Sequence, residues 1–250
     1  MTRRLLAAGI HLSLSACVAA AAAGVVFLIW YPPPFGAIAG GLGLFLILVS
    51  VDVVLGPTLT AVVASPGKPF RELRRDLAVI VAIQLAAFAY GISSIAIARP
   101  VYVSFEIDRF RVVTAADIET QALADAPAAL RSLPWLGPKE IAAVKPTDPA
   151  EQERSIELGL AGFDLSMDPR NWRDYATQRD AAWKKARPID ALMAKYPQQA
   201  AAARNIAAHA GQELNTLRFL PLMARRAIWS AVIAPPDARI VGYLPVDGFI

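Results

Sequence analysis

The stretch that most restricts what this chain can become is Leu42–Val63, LGLFLILVSVDVVLGPTLTAVV, 22 residues with one charge, Asp52, near the middle. A helix rises about 1.5 Å per residue, so the run is long enough for roughly 30 Å of hydrocarbon. An acid at the centre of a bilayer costs about 2.5–3.5 kcal/mol on insertion scales. Five neighbouring Leu, Ile, Val or Phe residues, at about −0.3 to −0.6 kcal/mol each, can offset that. The segment is therefore expected to insert, with Asp52 against protein or a wet cavity and not against lipid. Gly56-Pro57 follows one turn later. Pro57 has no N–H and is expected to free the Val53 carbonyl and kink the helix beside the acid.

Two more apolar runs flank this one. Leu5–Trp30 follows the basic start MTRR and, at 26 residues, exceeds the 7–15 of a cleaved signal's apolar region, so a retained helix is expected. Leu14-Ser15-Ala16-Cys17 fits a bacterial lipobox, but 13 mostly apolar residues follow Cys17 where a lipoprotein has a polar tether. Cys17 is read as a small hydrophobe in a helix. Phe27, Trp30, Tyr31 and Phe35 surround Pro32-Pro33-Pro34, an interfacial aromatic belt around a stiff turn. Gly36-x-x-x-Gly40 is expected to open the second span and allow close helix approach. After the charged break Ser65–Asp76, the third span is Leu77–Ala98, with Ala78, Ala82 and Ala86 as a small-residue stripe.

The spans are thus placed at about 5–30, 42–63 and 77–98. Cations beside spans stay in the cytoplasm. Arg3 and Arg4 precede the first span, and Lys68, Arg71, Arg74 and Arg75 lie between the second and third. The N-terminus is then inside and everything after Arg99 outside, which in a two-membrane bacterium is the periplasm. Arg99 is the one mismatch, a cation able to snorkel.

The charge is unevenly spread. Residues 1–100 carry 7 Lys/Arg and 3 Asp/Glu, whereas residues 101–250 carry 18 of each. With no net basic charge in the polar half, nucleic acid is not an expected partner. One cysteine permits no internal disulfide and says nothing about compartment. From Val101 a period of two marks a strand, read as continuing through Phe110 and Val112. Thr114–Asp117 has the form of a capping pair. A short strand is expected at Glu140–Val144, and helices at Pro149–Leu160, Arg170–Ala186, Ile189–Lys195 and Pro197–Ala210. Ala227–Ile233 and Arg239–Leu244 read as a terminal hairpin. The fold class is therefore an integral membrane protein: a three-span transmembrane domain, residues 1–100, followed by a C-terminal α+β soluble domain, residues 101–250, large enough for its own core.

The residues that could carry chemistry are few. The two histidines, His11 and His209, fall in different halves, and the sequence has no His-x-x-x-His, Cys-x-x-Cys, phosphate-binding glycine loop or Gly-x-Ser-x-Gly elbow. No cofactor and no metal are expected. Glu106 and Asp108 share a strand face and read as solvated carboxylates. The residue that demands an account is Asp52. Counted from Ala64 it lies about 18 Å deep. The same depth on the other spans falls near Ser15 and Cys17 and near Phe88, with Gln84 and Tyr90 a turn away. Ser15, Gln84 and Tyr90 are its candidate hydrogen-bond partners, and Asp52, Gly56, Pro57, Ser15, Gln84 and Tyr90 form the candidate intramembrane polar site. Asp52 is satisfied within the three-helix bundle, or meets a polar group on a foreign helix, or takes part in ion conduction.

Several motifs together resemble one family. Gly9-Ile10-His11-Leu12, Ile29-Trp30-Tyr31-Pro32, Val51-Asp52-Val53-Val54-Leu55-Gly56-Pro57 and Leu73-Arg74-Arg75-Asp76-Leu77 follow in the order seen in the TfpX/TfpZ-type type IV pilin accessory proteins. Ala98-Arg99-Pro100-Val101-Tyr102, Phe105–Phe110 and the closing Gly242-Tyr243-Leu244-Pro245 with Asp247-Gly248-Phe249 continue the likeness. It is strongest over residues 9–117 and thin over 120–215, where the Ala-rich Pro197–Ala210 departs from it.

The resemblance implies a non-enzymatic inner-membrane accessory that works with the major type IV pilin, in a chaperone-like way, and supports its assembly into pili. It implies no cofactor and no catalytic residue. The expected partners are the pilin and the lipid bilayer. A membrane-anchored envelope enzyme that modifies pilin is the competing function, and a structural subunit of an envelope complex is a third.

Overall fold

The computed structural model describes residues 2–65 and 67–250. Met1 and Pro66 lie outside these, as does the side chain of Arg3 that enters the orientation argument. The chain divides into two units, Met1–Arg99 and Pro100–Ile250.

The first unit holds three helices long and apolar enough to cross a membrane: α1, Arg4–Trp30; α2, Gly41–Val63; and α3, Phe70–Ile97. Only 11%, 22% and 11% of their most apolar windows are buried inside the protein, so most of the hydrocarbon surface faces outward. Such a surface is stable against lipid and not against water. Where the helices meet, Val26, Tyr31, Phe45, Leu48 and Ile95 form the centre of the packing. The Phe27 and Phe45 rings meet edge to face at 5.1 Å. The Tyr31 hydroxyl donates to the Ile95 carbonyl at 3.0 Å. Arg4 Nη2 donates to Ser65 Oγ at 2.9 Å, joining the start of α1 to the loop after α2. Lys68 and Asp76 form an ion pair.

Three expectations change here. Gly36 and Gly40 do not open the second span. Phe35–Ile38 is a separate helical turn, and Gly40, at φ 76, precedes α2 in the left-handed region. The close approach falls to Gly41, where a Cβ would stand 2.5 Å from Tyr31 Cδ1. α3 begins at Phe70, so the basic segment Arg71–Asp76 is its first turns and not part of a break. Finally, α2 passes Pro57 by widening: Val51–Leu55 is a π-helical turn, and the α-helical register resumes at Gly56.

The second unit is a mixed sheet with helices. Its strands are β1 (Pro100–Glu106), β2 (Arg109–Thr114), β3 (Lys139–Ala143), β4 (Trp172–Asp174), β5 (Arg187–Pro188), β6 (Arg218–Met223), β7 (Ile228–Ala234) and β8 (Arg239–Leu244). They run in the order β4-β3-β1-β2-β6-β7-β8, with β5 on β6. The β1/β3 and β2/β6 pairs are parallel and the others antiparallel. The helices are α4 (Pro149–Leu160), α5 (Arg179–Lys185), α6 (Ile189–Lys195) and α7 (Ala200–Ala210), the last closed by Gly211 in the left-handed conformation. One core gathers Val101, Tyr102, Val113, Ile141 and Trp172. A second packs Ile189, Leu192, Ala203 and Ala207 on Leu217, Phe219, Val232 and Leu244.

The strand read as running from Val101 to Val112 is two. Glu106 pairs with Arg109 across a two-residue turn, Ile107-Asp108, so β1 and β2 are a hairpin. The two-residue turn moves the apolar positions from odd numbers, Val103 and Phe105, to even ones, Phe110 and Val112, a change of phase through which a single strand does not pass. Arg170–Ala186 is not one helix. Trp172–Asp174 joins the sheet edge, and the Asp174 carboxylate accepts from the Ala176 N–H to start a 3₁₀ turn before α5. Trp172 and Tyr175 are buried, but the Trp172 indole sits on the Tyr102 ring, 4.9 Å between centroids, while Tyr175 meets Phe105 and Phe110. β6 has no counterpart in the sequence reading. Its Pro221 lies between the residues that pair with β5 and those that pair with β2, and faces Ser230 of β7.

Candidate functional site

Asp52 lies in the π-turn of α2 and is 8% exposed. In a π register each carbonyl waits for the N–H five residues on. For Asp52 that residue is Pro57, which has none. The carbonyl left without a helical donor is therefore that of Asp52, not of Val53 as the sequence suggests. Gln84 Nε2, from α3, donates to it at 3.3 Å. Gly56 makes the approach possible, because a Cβ there would stand 2.1 Å from Gln84 Nε2. The π-turn, Gly56 and Gln84 are thus one device. Asp52 Oδ1 is buried and accepts no hydrogen bond among the described residues.

A cavity of about 510 Å³ lies beside this device, between α1, α2 and α3. Its polar lining is His11, Ser15, Asp52, Thr60 and Gln84, and the rest is apolar, including Leu14, Val18, Val81 and Phe88. His11 Nδ1 and Thr60 Oγ1 are hydrogen-bonded at 2.6 Å. A second cavity, about 370 Å³, is lined by Leu48, Asp52, Phe88, Tyr90, Gly91 and Ser94. Asp52 and Phe88 border both.

Of the six residues singled out by sequence, Asp52, Ser15 and Gln84 come together on the first cavity. Gly56 is buried against Gln84, and Pro57 is buried at the return to the α-register. Ser15 and Tyr90 make no hydrogen bond to Asp52; Tyr90 stands at the rim of the second cavity, 77% exposed. Gln84 binds the Asp52 backbone carbonyl. His11 and Thr60 were not anticipated as members. Their signal was spacing: Asp52, Gly56 and Thr60 recur every four residues on one helix, as do His11 and Ser15 on another. Cys17, on the same helix, is exposed. The arrangement can take a few apolar side chains and offer one carboxylate oxygen to a donor beside them.

The second unit has one buried charge network. Arg111 Nε donates to Glu106 Oε1 at 3.1 Å, and Arg111 Nη2 to Asp164 Oδ2 at 2.8 Å. Glu106 Oε2 accepts from the Ser166 N–H at 3.1 Å. Glu106 is therefore a buried anchor and not a solvated face, and Asp108 lies in the turn, paired with Arg109 at 2.7 Å. Burial raises the Asp164 carboxyl above its ordinary value, with the Arg111 charge opposing. His209 Nδ1 shares a hydrogen bond with the Asn205 carbonyl one turn back, at 2.7 Å. No group of three His, Cys, Asp or Glu side chains has metal-holding geometry among the described residues.

The chain is similar to known proteins over nearly its full length. It is 34% identical over 242 residues to the fimbrial assembly protein of serogroup I of Dichelobacter nodosus, covering 96% of this chain and 94% of that one. It is 33% identical, with the same coverage, to the fimbrial assembly protein of serogroup E1. The fimbrial assembly protein of serogroups C1 and C2 is 44% identical over 110 residues, 44% of this chain and 84% of that relative. No solved structure matches the chain. Residues 1–40 match the family described as fimbrial assembly protein FimB, and with relatives this similar over this length the chain belongs to that family.

Proposed function

We propose that this chain is an inner-membrane accessory of type IV fimbriae, of the TfpX/TfpZ type, that binds the major pilin and supports its assembly without catalysing a reaction. In this reading α1, α2 and α3 cross the inner membrane with the N-terminus in the cytoplasm, and residues 101–250 fold in the periplasm. The relatives' name, fimbrial assembly protein, supports the process. The observation that carries the binding mode is the open carboxylate oxygen of Asp52 in an apolar cavity between helices. A pilin awaiting assembly is a single apolar helix with a head outside the membrane. Apolar side chains of its helix enter the cavity, and a donor on it meets Asp52 Oδ1. An unmet buried carboxylate is costly, so filling the site recovers that cost on binding.

The test is co-purification of the tagged full chain with the major pilin from membranes. Wild type is expected to retain pilin; Asp52→Ala is expected to lose most of it, and Asp52→Asn, which keeps an acceptor oxygen, to lose less. Equal recovery with all three would remove Asp52 from the mechanism. A reporter fused after Ile250 that is active only in the cytosol would overturn the membrane arrangement.

A further inference from the structure

Within the first unit, Tyr90 of α3 is exposed, and its hydroxyl makes no hydrogen bond among the described residues. It stands seven residues, about 10 Å, before Ile97, the last residue of the helix. Helical side chains lean toward the N-terminus of their own helix, so the phenol points back along α3. Leaning away from the nearer end, it does not bring its hydroxyl to the water there. A hydroxyl left among acyl chains without a partner is costly.

An acceptor with the matching problem borders the same space. Asp52 Oδ1 is buried and unmet among the described residues. Asp52 and Tyr90 both line the second cavity, of about 370 Å³, yet do not bond to each other. The α3 wall of that cavity also carries Ala87, Gly91 and Ser94, small residues that let another backbone come close.

An exposed donor at the rim and a buried acceptor in the wall make a self-complementary pair. A two-fold axis along the membrane normal keeps each residue at its own depth and sets the Tyr90 of each copy against the cavity of the other. Gln84 marks the Asp52 level, and Tyr90 lies six residues beyond it, a rise of about 9 Å that the backward lean of the phenol shortens. An unrelated helix with a donor would meet Asp52 and leave Tyr90 unmet. A second copy meets both groups at once.

We propose that this face of α2 and α3 seats a second copy of the chain: the Tyr90 of one protomer enters the second cavity of its partner and donates to Asp52 Oδ1, and the partner's Tyr90 does the same in return. A carboxylate accepts several hydrogen bonds, so Asp52 still faces the first cavity, where the pilin was assigned. The pairing goes beyond pilin binding and rests only on the part of that reading in which α1, α2 and α3 lie in a bilayer.

The experiment uses the full chain in a Cys17→Ser background, in native membranes with and without the major pilin. Ala87→Cys and Ser94→Cys place a thiol on the cavity, and Ala89→Cys places one on the other side of α3. Copper phenanthroline oxidation is expected to give a chain-to-chain disulfide from 87 or 94, several-fold above 89, with or without pilin. Tyr90→Phe, which keeps the ring, is expected to lower that yield several-fold. Asp52→Asn, which keeps an acceptor oxygen, is expected to retain most of it. Yields at 87 and 94 no higher than at 89, or a yield that Tyr90→Phe leaves unchanged, overturn the pairing. Protection of Ser94→Cys from a maleimide only when pilin is present gives the cavity to pilin and also overturns it. Pilin recovery scored on the same membranes keeps the two readings apart: its absence from wild type removes the pilin-binding role and leaves the dimer standing.

Discussion

Gln84 reaches the backbone carbonyl of Asp52, at 3.3 Å, through the space that a side chain at position 56 would fill. The relationship joins two helices at the level of the buried acid and supplies the donor that Pro57 lacks. Gly56→Ala is expected to push Gln84 out, because the new Cβ would stand 2.1 Å from its Nε2. A buried carbonyl losing its donor costs about 1–3 kcal/mol, against roughly 1 kcal/mol gained from alanine's helix propensity. Thermal unfolding in detergent should therefore show a net loss. The double variant Gly56→Ala/Gln84→Ala should lose less than the sum of the two single changes, since each removes the same contact. Strict additivity would show that the two residues are not coupled.

Ile107 occupies a left-handed conformation, φ 56, in the turn between β1 and β2, and is 50% exposed. A β-branched residue pays about 1–2 kcal/mol there, and its exposed side chain returns little through burial. Ile107→Gly or Ile107→Asn should raise the denaturation midpoint of the chain. A midpoint lowered by both would mean that the Ile107 side chain contributes packing that outweighs the backbone strain.

That turn also shows what the sequence concealed. The three apolar helices were legible because length and composition alone define them. Helix α4, with Pro149 after the capping Asp148, and α7, ended by Gly211, were legible from local punctuation. The β1/β2 hairpin was not, because its two-residue turn carries no glycine, and its mark is only the shift of the apolar positions from odd, Phe105, to even, Phe110. The segment 170–186 misled because Trp172 and Tyr175, three apart, mimic a helical face while each fills a different pocket. At the candidate site the acid, Gly56 and Gln84 could be named from depth, but the role of Gln84 could not. It depends on the π-turn, which shifts the orphaned carbonyl by one residue. His11 and Thr60 were hidden for a related reason: a hydrogen bond between helices leaves no mark except four-residue spacing on each.

Arg111 holds two carboxylates, Glu106 and Asp164, and its side chain is 11% exposed. Arg111→Met keeps much of the volume but strands Glu106, which is 4% exposed and retains only the Ser166 N–H. Breaking a buried pair from one side costs about 3–5 kcal/mol. Replacing both partners, Arg111→Met with Glu106→Gln, should cost less than Arg111→Met alone, because no uncompensated charge is left. Chemical denaturation of the full chain in detergent, followed by near-ultraviolet dichroism, reads both. A double variant weaker than the single would show that Arg111 acts by shape and not by pairing.

Asp168 gives a pH dependence with a defined sign. Burial raises its carboxyl above 3.8, and Glu151, Asp125 and Glu119 add to this; the Arg154 charge and the Arg170 guanidinium, 3.1 Å from Oδ1, oppose it. An acid whose folded value is raised prefers its proton in the folded state. Its stabilising contribution is complete below 3.8 and is lost as pH rises through the folded value. Asp168→Asn removes that titration while keeping an oxygen to accept from the Arg170 N–H, the bond that Asp168 makes at 3.1 Å. The variant's stability should therefore fall less steeply than wild type from pH 3.8 upward, with the two curves separating in that direction and not toward acid. Unfolding midpoints measured at several pH values test this. Parallel curves would show that Asp168 does not titrate differently on folding, and a steeper fall in the variant would reverse the sign of its contribution.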